Sequence, residues 1–326
     1  MEKILEVENL KKSFSIRKGI FQKKIGEVKA LSGVSFDVFE NETFGIVGES
    51  GSGKSTLSRV ILRLEEPTEG KITFLSKDFL SLKGKELKEA RKKLQAVFQD
   101  PASSLDPKMK IGKSVEEPLL IHSVGNKKER KEIVLSLLSK VGLDNSFYEK
   151  YPFELSGGQR QRVSIARAIA LKPKLIICDE AVSALDLSVQ AQILNLLKKL
   201  QNDEGISYIF ITHSLSVAEY LSHKVAVMYL GKFVEKGDAE SVFKKPFHPY
   251  TIGLLASAPS VDLLSTRKKI IIQGEIPSNV ILPKGCSFHP RCPFKKEICE
   301  LEEPKLKEYG KNHYTACHFA GSIQKD

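Results

Sequence analysis

No stretch of eighteen apolar residues occurs in the 326-residue chain, so no segment reads as a membrane-spanning helix. The start, Met1-Glu2-Lys3-Ile4, lacks the basic-then-apolar layout of a signal peptide. Together these absences lead us to expect a cytoplasmic protein. Cysteine is sparse, five residues in all. No Asp has a Gly three positions later, so the γ-phosphate switch motif of a GTPase is missing. Asn126-Lys127-Lys128-Glu129 imitates a guanine-reading motif only in part, with Glu where Asp is wanted.

The composition that remains is that of a folded chain, 41% apolar and 28% charged. Its length exceeds what one compact core usually reaches, which argues for a large domain with an appendage. The formal net charge is +11. Nucleic acid or an anionic membrane face would suit such a charge. No nucleic-acid-binding motif accompanies it, and the lysines of 83–93 and 127–131 read as solvated helix exteriors. No nucleic-acid partner is therefore expected.

The chemistry centres on Gly48-Glu49-Ser50-Gly51-Ser52-Gly53-Lys54-Ser55-Thr56. The apolar run Thr43–Val47 before it reads as a buried strand, and Leu57–Arg63 after it as a helix. Strand, glycine-rich turn and helix are the context of a phosphate-binding loop. The glycines let backbone N–H groups converge on one anion, and the helix start adds its positive dipole end. Lys54 would reach the outer phosphates, and the Ser55 hydroxyl would ligate Mg²⁺.

Residues 1–42 read as strands, with alternation over Ile4–Glu8 and Val34–Val38 and a basic loop between Ile16 and Gly26. Phe14 suits either core packing or a face offered to a base; periodicity alone does not choose. Gln99 ends the short strand Leu94–Phe98 before a proline turn, a place for a mobile contact residue. Residues 102–150 carry helical periodicity and much charge. Leu155-Ser156-Gly157-Gly158-Gln159 opens a helix expected over 160–171, with Ser156 as N-cap and two glycines baring the backbone. It is a second anion-binding helix start in one chain. Leu175–Cys178 is an unbroken apolar run, as expected of a parallel strand buried on both faces. Asp179 and Glu180 at its end are costly to bury unless used. Asp179 is placed to hold Mg²⁺, and Glu180 to orient or deprotonate a water. Ser183–Asp186 reads as a turn before a helix at Val189–Leu200. His213 follows the strand Tyr208–Thr212 as a candidate γ-phosphate sensor. Val225–Tyr229 and Phe233–Glu235 read as a hairpin around Gly231.

In this order and spacing, residues 3–257 resemble an ATP-binding cassette (ABC) ATPase. The resemblance implies an α/β fold: a phosphate-loop NTPase core, an antiparallel β subdomain, and a helical subdomain at about 100–160. Phe14 matches the loop that stacks on adenine. Gly48, Ser50, Gly51, Ser52, Gly53, Lys54, Ser55 and Thr56 fall in the phosphate loop. Gln99 matches the glutamine that contacts Mg²⁺ beside Ser55 and Asp179. Ser156, Gly157, Gly158 and Gln159 match the signature. Glu180 matches the catalytic glutamate, His213 the switch histidine, and Ser183–Asp186 the loop that crosses the dimer. The implied cofactors are ATP and Mg²⁺. The implied mechanism holds each ATP between one phosphate loop and the signature of a second ABC ATPase subunit.

A finer resemblance, to the ATPase subunits of oligopeptide and dipeptide importers, lies in Arg17-Lys18-Gly19-Ile20-Phe21, in His248-Pro249-Tyr250-Thr251, and in the tail. It implies two membrane permease subunits, an extracytoplasmic solute-binding protein acting indirectly, and a peripheral place on the cytoplasmic face of the membrane. Relatives also serve sugars and nickel. A soluble cassette acting on nucleic acid or ribosomes is the competing class. The tail, expected as a small Cys-rich extension over 258–326, carries Cys286, Cys292, Cys299 and Cys317, separated by five, six and seventeen residues. Four thiolates suit zinc or an iron–sulfur cluster equally by chemistry. The subfamily resemblance implies [4Fe–4S], with His289, His313 and His318 available to a zinc alternative. Cys178, inside an apolar strand, is expected to be an inert core residue.

Overall fold

The structure, a computed structural model, describes residues 2–18, 23–257 and 272–323. Its strands are β1 (Lys3–Lys18), β2 (Lys23–Phe39), β3 (Thr43–Val47), β4 (Glu69–Phe74), β5 (Lys77–Asp78) and β6 (Leu94–Val97). They continue with β7 (Leu175–Asp179), β8 (Ser207–Thr212), β9 (Lys224–Tyr229), β10 (Lys232–Asp238), β11 (Lys307–Gly310) and β12 (His313–Thr315). The chain divides into two compact units.

One unit comprises Met1–Leu5, Val38–Glu42 and Thr73–Ile211. Here β6, β7 and β8 pair in parallel, Leu94 opposite Leu175 and Leu175 opposite Ser207. Every residue of β7 is buried, as its unbroken apolar run requires of a central parallel strand. Cys178 is fully buried, and its thiol is pushed up by loss of solvent, so it behaves as a small core hydrophobe. Between β6 and β7 the chain is helical: Pro101–Ser104, Ile111–Ile121, Lys127–Lys140 and two short 3₁₀ turns. Asn126 and Glu129 form a capping box at the start of Lys127–Lys140. That helix turns Val134, Leu137 and Leu138 inward and its lysines outward.

The other unit comprises Glu6–Asp37, Thr43–Ile72 and Thr212–Asp326. β3 runs parallel to β9, with Phe44 opposite Lys224 and Val47 opposite Val227. β9 turns through Leu230-Gly231 into antiparallel β10, with a bulge between Phe233 and Glu235. The far edge of β10 is taken by β12, and β12 by β11, both antiparallel. The C-terminal strands thus extend the sheet that carries the phosphate loop. The β1 strand runs far beyond the Ile4–Glu8 alternation, to Lys18. Of the basic insertion, Gly19, Ile20 and Phe21 lie outside the described residues, as does the expected boundary at 258.

Candidate functional site

The phosphate-loop stretch leaves β3 and enters a helix at Lys54–Ile61. Gly53 caps that helix at φ 109°, and a Cβ there would stand 2.5 Å from the Ala30 carbonyl oxygen. Only glycine satisfies both the backbone angle and the close approach. The Gly231 N–H donates to Ser52 O at 2.8 Å, tying the loop to the β9–β10 turn. Lys54 is buried, and its Nζ donates to Gly48 O at 2.7 Å and Glu49 O at 2.8 Å. Ser50, Gly51 and Ser55 are exposed, whereas Gly48 and Ser52 are buried and Thr56 is intermediate. The loop therefore brings together a buried Lys54 ammonium held on loop carbonyls, an exposed Ser55 and a helix N-terminus, residue types that suit an anion with Mg²⁺.

In the same unit, Phe14 is 37% exposed, with Lys12 Nζ 4.7 Å from its ring centroid. It is not a core residue. His213 follows β8 and is exposed.

In the other unit, adjacent parallel strands β6 and β7 bring Gln99 two residues past the end of β6, Asp179 as the last residue of β7, and Glu180 just past it. Val97 lies opposite Cys178. Gln99 is exposed and Asp179 is buried. Glu180 has φ 49°, a left-handed angle that costs a non-glycine residue free energy. Three hydrogen bonds hold it there. Its N–H donates to Ile211 O at 2.9 Å, and Ser183 donates to Glu180 O through both N–H and Oγ.

The signature stretch forms a capping box: Gln159 N–H donates to Ser156 Oγ at 3.3 Å, and Ser156 N–H to Gln159 Oε1 at 2.9 Å. The helix is Gly157–Ile169. A Cβ on Gly158 would meet Val189 Cγ1 at 2.4 Å, and one on Gly157 would meet Leu185 Cδ2 at 3.5 Å. The signature helix start and the residues from Leu185 to Val189 are therefore brought together. Gly158 is needed for this packing as well as for baring the backbone.

The cysteines are a partial correction. Cys286, Cys292, Cys299 and Cys317 line one small cavity with Phe288 and His289. Yet among the described residues no group of three or more His, Cys, Asp or Glu side chains is arranged to hold a metal ion. Burial pushes the Cys292 thiol up to about 11 and the Cys317 thiol up to about 12. The expected cluster, whether [4Fe–4S] or zinc, finds no support in this arrangement. His313 is engaged elsewhere: Nε2 meets the buried Glu235 carboxylate at 2.7 Å, and Nδ1 lies 2.9 Å from Ser241 Oγ.

Three contacts to the phosphate loop escaped the sequence. Arg291 Nη1 and Nη2 donate to the two Glu49 carboxylate oxygens at 2.7 and 3.1 Å. The Glu49 N–H donates to Tyr250 Oη at 2.9 Å, and Asn279 Nδ2 to Gly51 O at 3.1 Å. The only signal for any of them was the His248–Thr251 motif, whose tyrosine makes the second contact.

A family model described as ABC transporter matches residues 31–183. The oligopeptide transport ATP-binding protein AppF of Bacillus subtilis (strain 168) is 49% identical over 98% of both chains. The chain belongs to the ABC transporter family. As a cassette ATPase of that family it binds and hydrolyses ATP. A second family model, the oligopeptide/dipeptide transporter C-terminal region, matches residues 234–299. The dipeptide transport ATP-binding protein DppF of Haemophilus influenzae is 46% identical over 96% of each chain. Among solved structures, the ATP-binding cassette MJ0796, a dimer in a post-hydrolysis state with ADP and Pi, aligns at TM-score 0.64 and 32% identity. That alignment covers 72% of this chain and 99% of the other. This cassette has, among its described residues, no helix long and apolar enough to cross a membrane.

Proposed function

We propose that the chain is the ATP-hydrolysing subunit of a peptide importer, driving uptake of di- or oligopeptides through separate membrane permease subunits. The observation that carries this is the end-to-end similarity to peptide transport ATP-binding proteins, joined by the C-terminal region model. The cassette occupies 1–257 and the subfamily extension 258–326. It acts at the cytoplasmic face of the membrane with a second ATPase subunit, a related heterodimer partner by preference and a second copy of this chain as the alternative. A solute-binding protein delivers the peptide.

In this reading Lys54 and the loop N–H groups hold the outer phosphates; Ser55, Gln99 and Asp179 are the side chains that would serve Mg²⁺, whose chemistry when bound is charge neutralisation. Glu180 orients the attacking water and takes its proton. His213 senses the γ-phosphate, and Phe14 stacks on the adenine. Ser156, Gly157, Gly158 and Gln159 cap the ATP held by the partner. That role suits a helix start whose own Ser156–Gln159 box satisfies only part of its backbone.

The test is reconstitution with the cognate permease subunits in proteoliposomes. Peptide-dependent ATP hydrolysis and uptake, both abolished by Glu180→Gln, are expected. Stimulation by RNA or DNA, with none by membrane partners, would overturn the reading in favour of a nucleic-acid or ribosome ATPase. Uptake of an oligosaccharide or nickel in place of peptide would overturn the substrate class alone. A [4Fe–4S] cluster on Cys286, Cys292, Cys299 and Cys317 is proposed on the subfamily resemblance alone. Anaerobic purification with a visible spectrum and elemental analysis tests it, zinc or no metal being the contrary results.

A further inference from the structure

An anion-binding loop that carries its own carboxylate works against itself. Glu49 stands beside Gly48 in the phosphate loop, and a bare negative charge there would repel a triphosphate. The structure answers this with a residue from the other end of the chain. Arg291, 242 positions away, grips both Glu49 oxygens in a bidentate fork. Its side chain is only 7% exposed, against 29% for Glu49, so water screens the pair weakly. The guanidinium lies 5.9 Å from the Tyr229 ring centroid, and the Arg291 N–H donates to Phe288 O at 3.0 Å. Phe288 is itself buried against Tyr229 and Tyr250. The fork is thus held by a packed core. The Tyr250 Oη and Asn279 contacts fix two further points of the same loop.

We propose that Arg291 is a positioning residue for nucleotide binding: it neutralises Glu49 and sets the phosphate loop, so that the C-terminal segment tunes affinity for ATP. Its contact is with the loop. The proposal rests on the ATPase reading and not on peptide as the cargo.

The experiment measures binding of Mg²⁺ with a fluorescent ATP analogue to the full-length chain. Arg291→Ala should weaken affinity about tenfold, the usual scale of coupling between linked sites. Glu49→Gln leaves the Arg291 charge unopposed beside the loop and should bind a few-fold more tightly than wild type. The double variant Glu49→Gln/Arg291→Ala should return to near wild-type affinity, and the Arg291→Ala loss should shrink as salt is raised, a dependence that a merely structural arginine would not show. Should Arg291→Ala fail to fold, Arg291→Lys carries the same test. It keeps the charge without the fork, so a loss of a few-fold is expected, again erased by Glu49→Gln. Wild-type affinity in both arginine variants, or a double variant as weak as Arg291→Ala, would overturn the proposal. Nucleotide binding that behaves as expected, without peptide uptake, would overturn the importer reading alone. No nucleotide binding by wild type would overturn both.

Discussion

Replacing Gly158 with Ala adds one methyl group where there is no room. That methyl would lie 2.4 Å from Val189 Cγ1, while carbon atoms rest at roughly 3.5–4.0 Å. The helices Gly157–Ile169 and Leu187–Glu204 must therefore part by about 1 Å. Rotation of Val189 offers little relief, because a β-branched side chain in a helix has one favoured χ1. Overpacking of this kind costs about 1–3 kcal/mol. The better helix propensity of Ala returns at most about 1 kcal/mol. A net loss of up to about 2 kcal/mol is expected, read as a lower urea midpoint at unchanged slope. Hydrolysis should fall further, by about 10²-fold, since misplacing an anion-binding helix start by about 1 Å has that scale of effect. Val189→Ala in the Gly158→Ala background removes the clash and should restore most of both. If Gly158→Ala keeps wild-type stability and turnover, or if the double variant is no better than the single, the packing argument is wrong.

Other outcomes follow from the same contacts. Glu180→Gln should bind ATP and lose roughly 10²–10⁴-fold in turnover, measured as phosphate release; near-normal turnover would remove Glu180 as the base. Ser156→Arg should leave ATP binding by the isolated chain intact and block the closed dimer on size-exclusion chromatography. Loss of binding by the lone chain would instead put the signature in the same-chain site. His248 is buried with its pKa lowered to about 3, and its Nδ1 accepts the Tyr250 N–H. The unfolded chain takes up that proton first, so stability should fall as pH drops below about 6.5, by about 2 kcal/mol at pH 5. His248→Asn keeps an acceptor without a titrating ring and should flatten that decline in urea titrations; an unchanged slope would exclude His248 as its source.

What the sequence showed plainly was local. Gly48–Thr56, Leu155–Gln159 and Leu175–Glu180 each join a motif to the strand or helix that presents it, so spacing along the chain was enough. The Ser156 cap and the fully buried β7 appear as read. Phe14 was undecided because alternation cannot tell a half-exposed ring from a buried one. The Glu180 angle was invisible, since it arises from hydrogen bonds to Ser183 and Ile211 and not from residue type. The Arg291–Glu49 fork joins residues 242 apart, and no local rule links them. The cysteine spacing showed density. Which thiols converge is set by packing around Phe288, a tertiary matter.

The placement of β12 has a consequence for the chain as a solute. Strand β10 would otherwise present a row of unpaired amide and carbonyl groups over Glu235–Gly237, a template for any passing strand. The last ribbon occupies that row and leaves as the outer edge only β11, short, exposed and bearing Lys307 and Glu308. A version ending at residue 257 would bare the row and strip His313 from buried Glu235. Such a fragment should clump in solution, copy against copy, more readily than the whole chain, as light scattering would read.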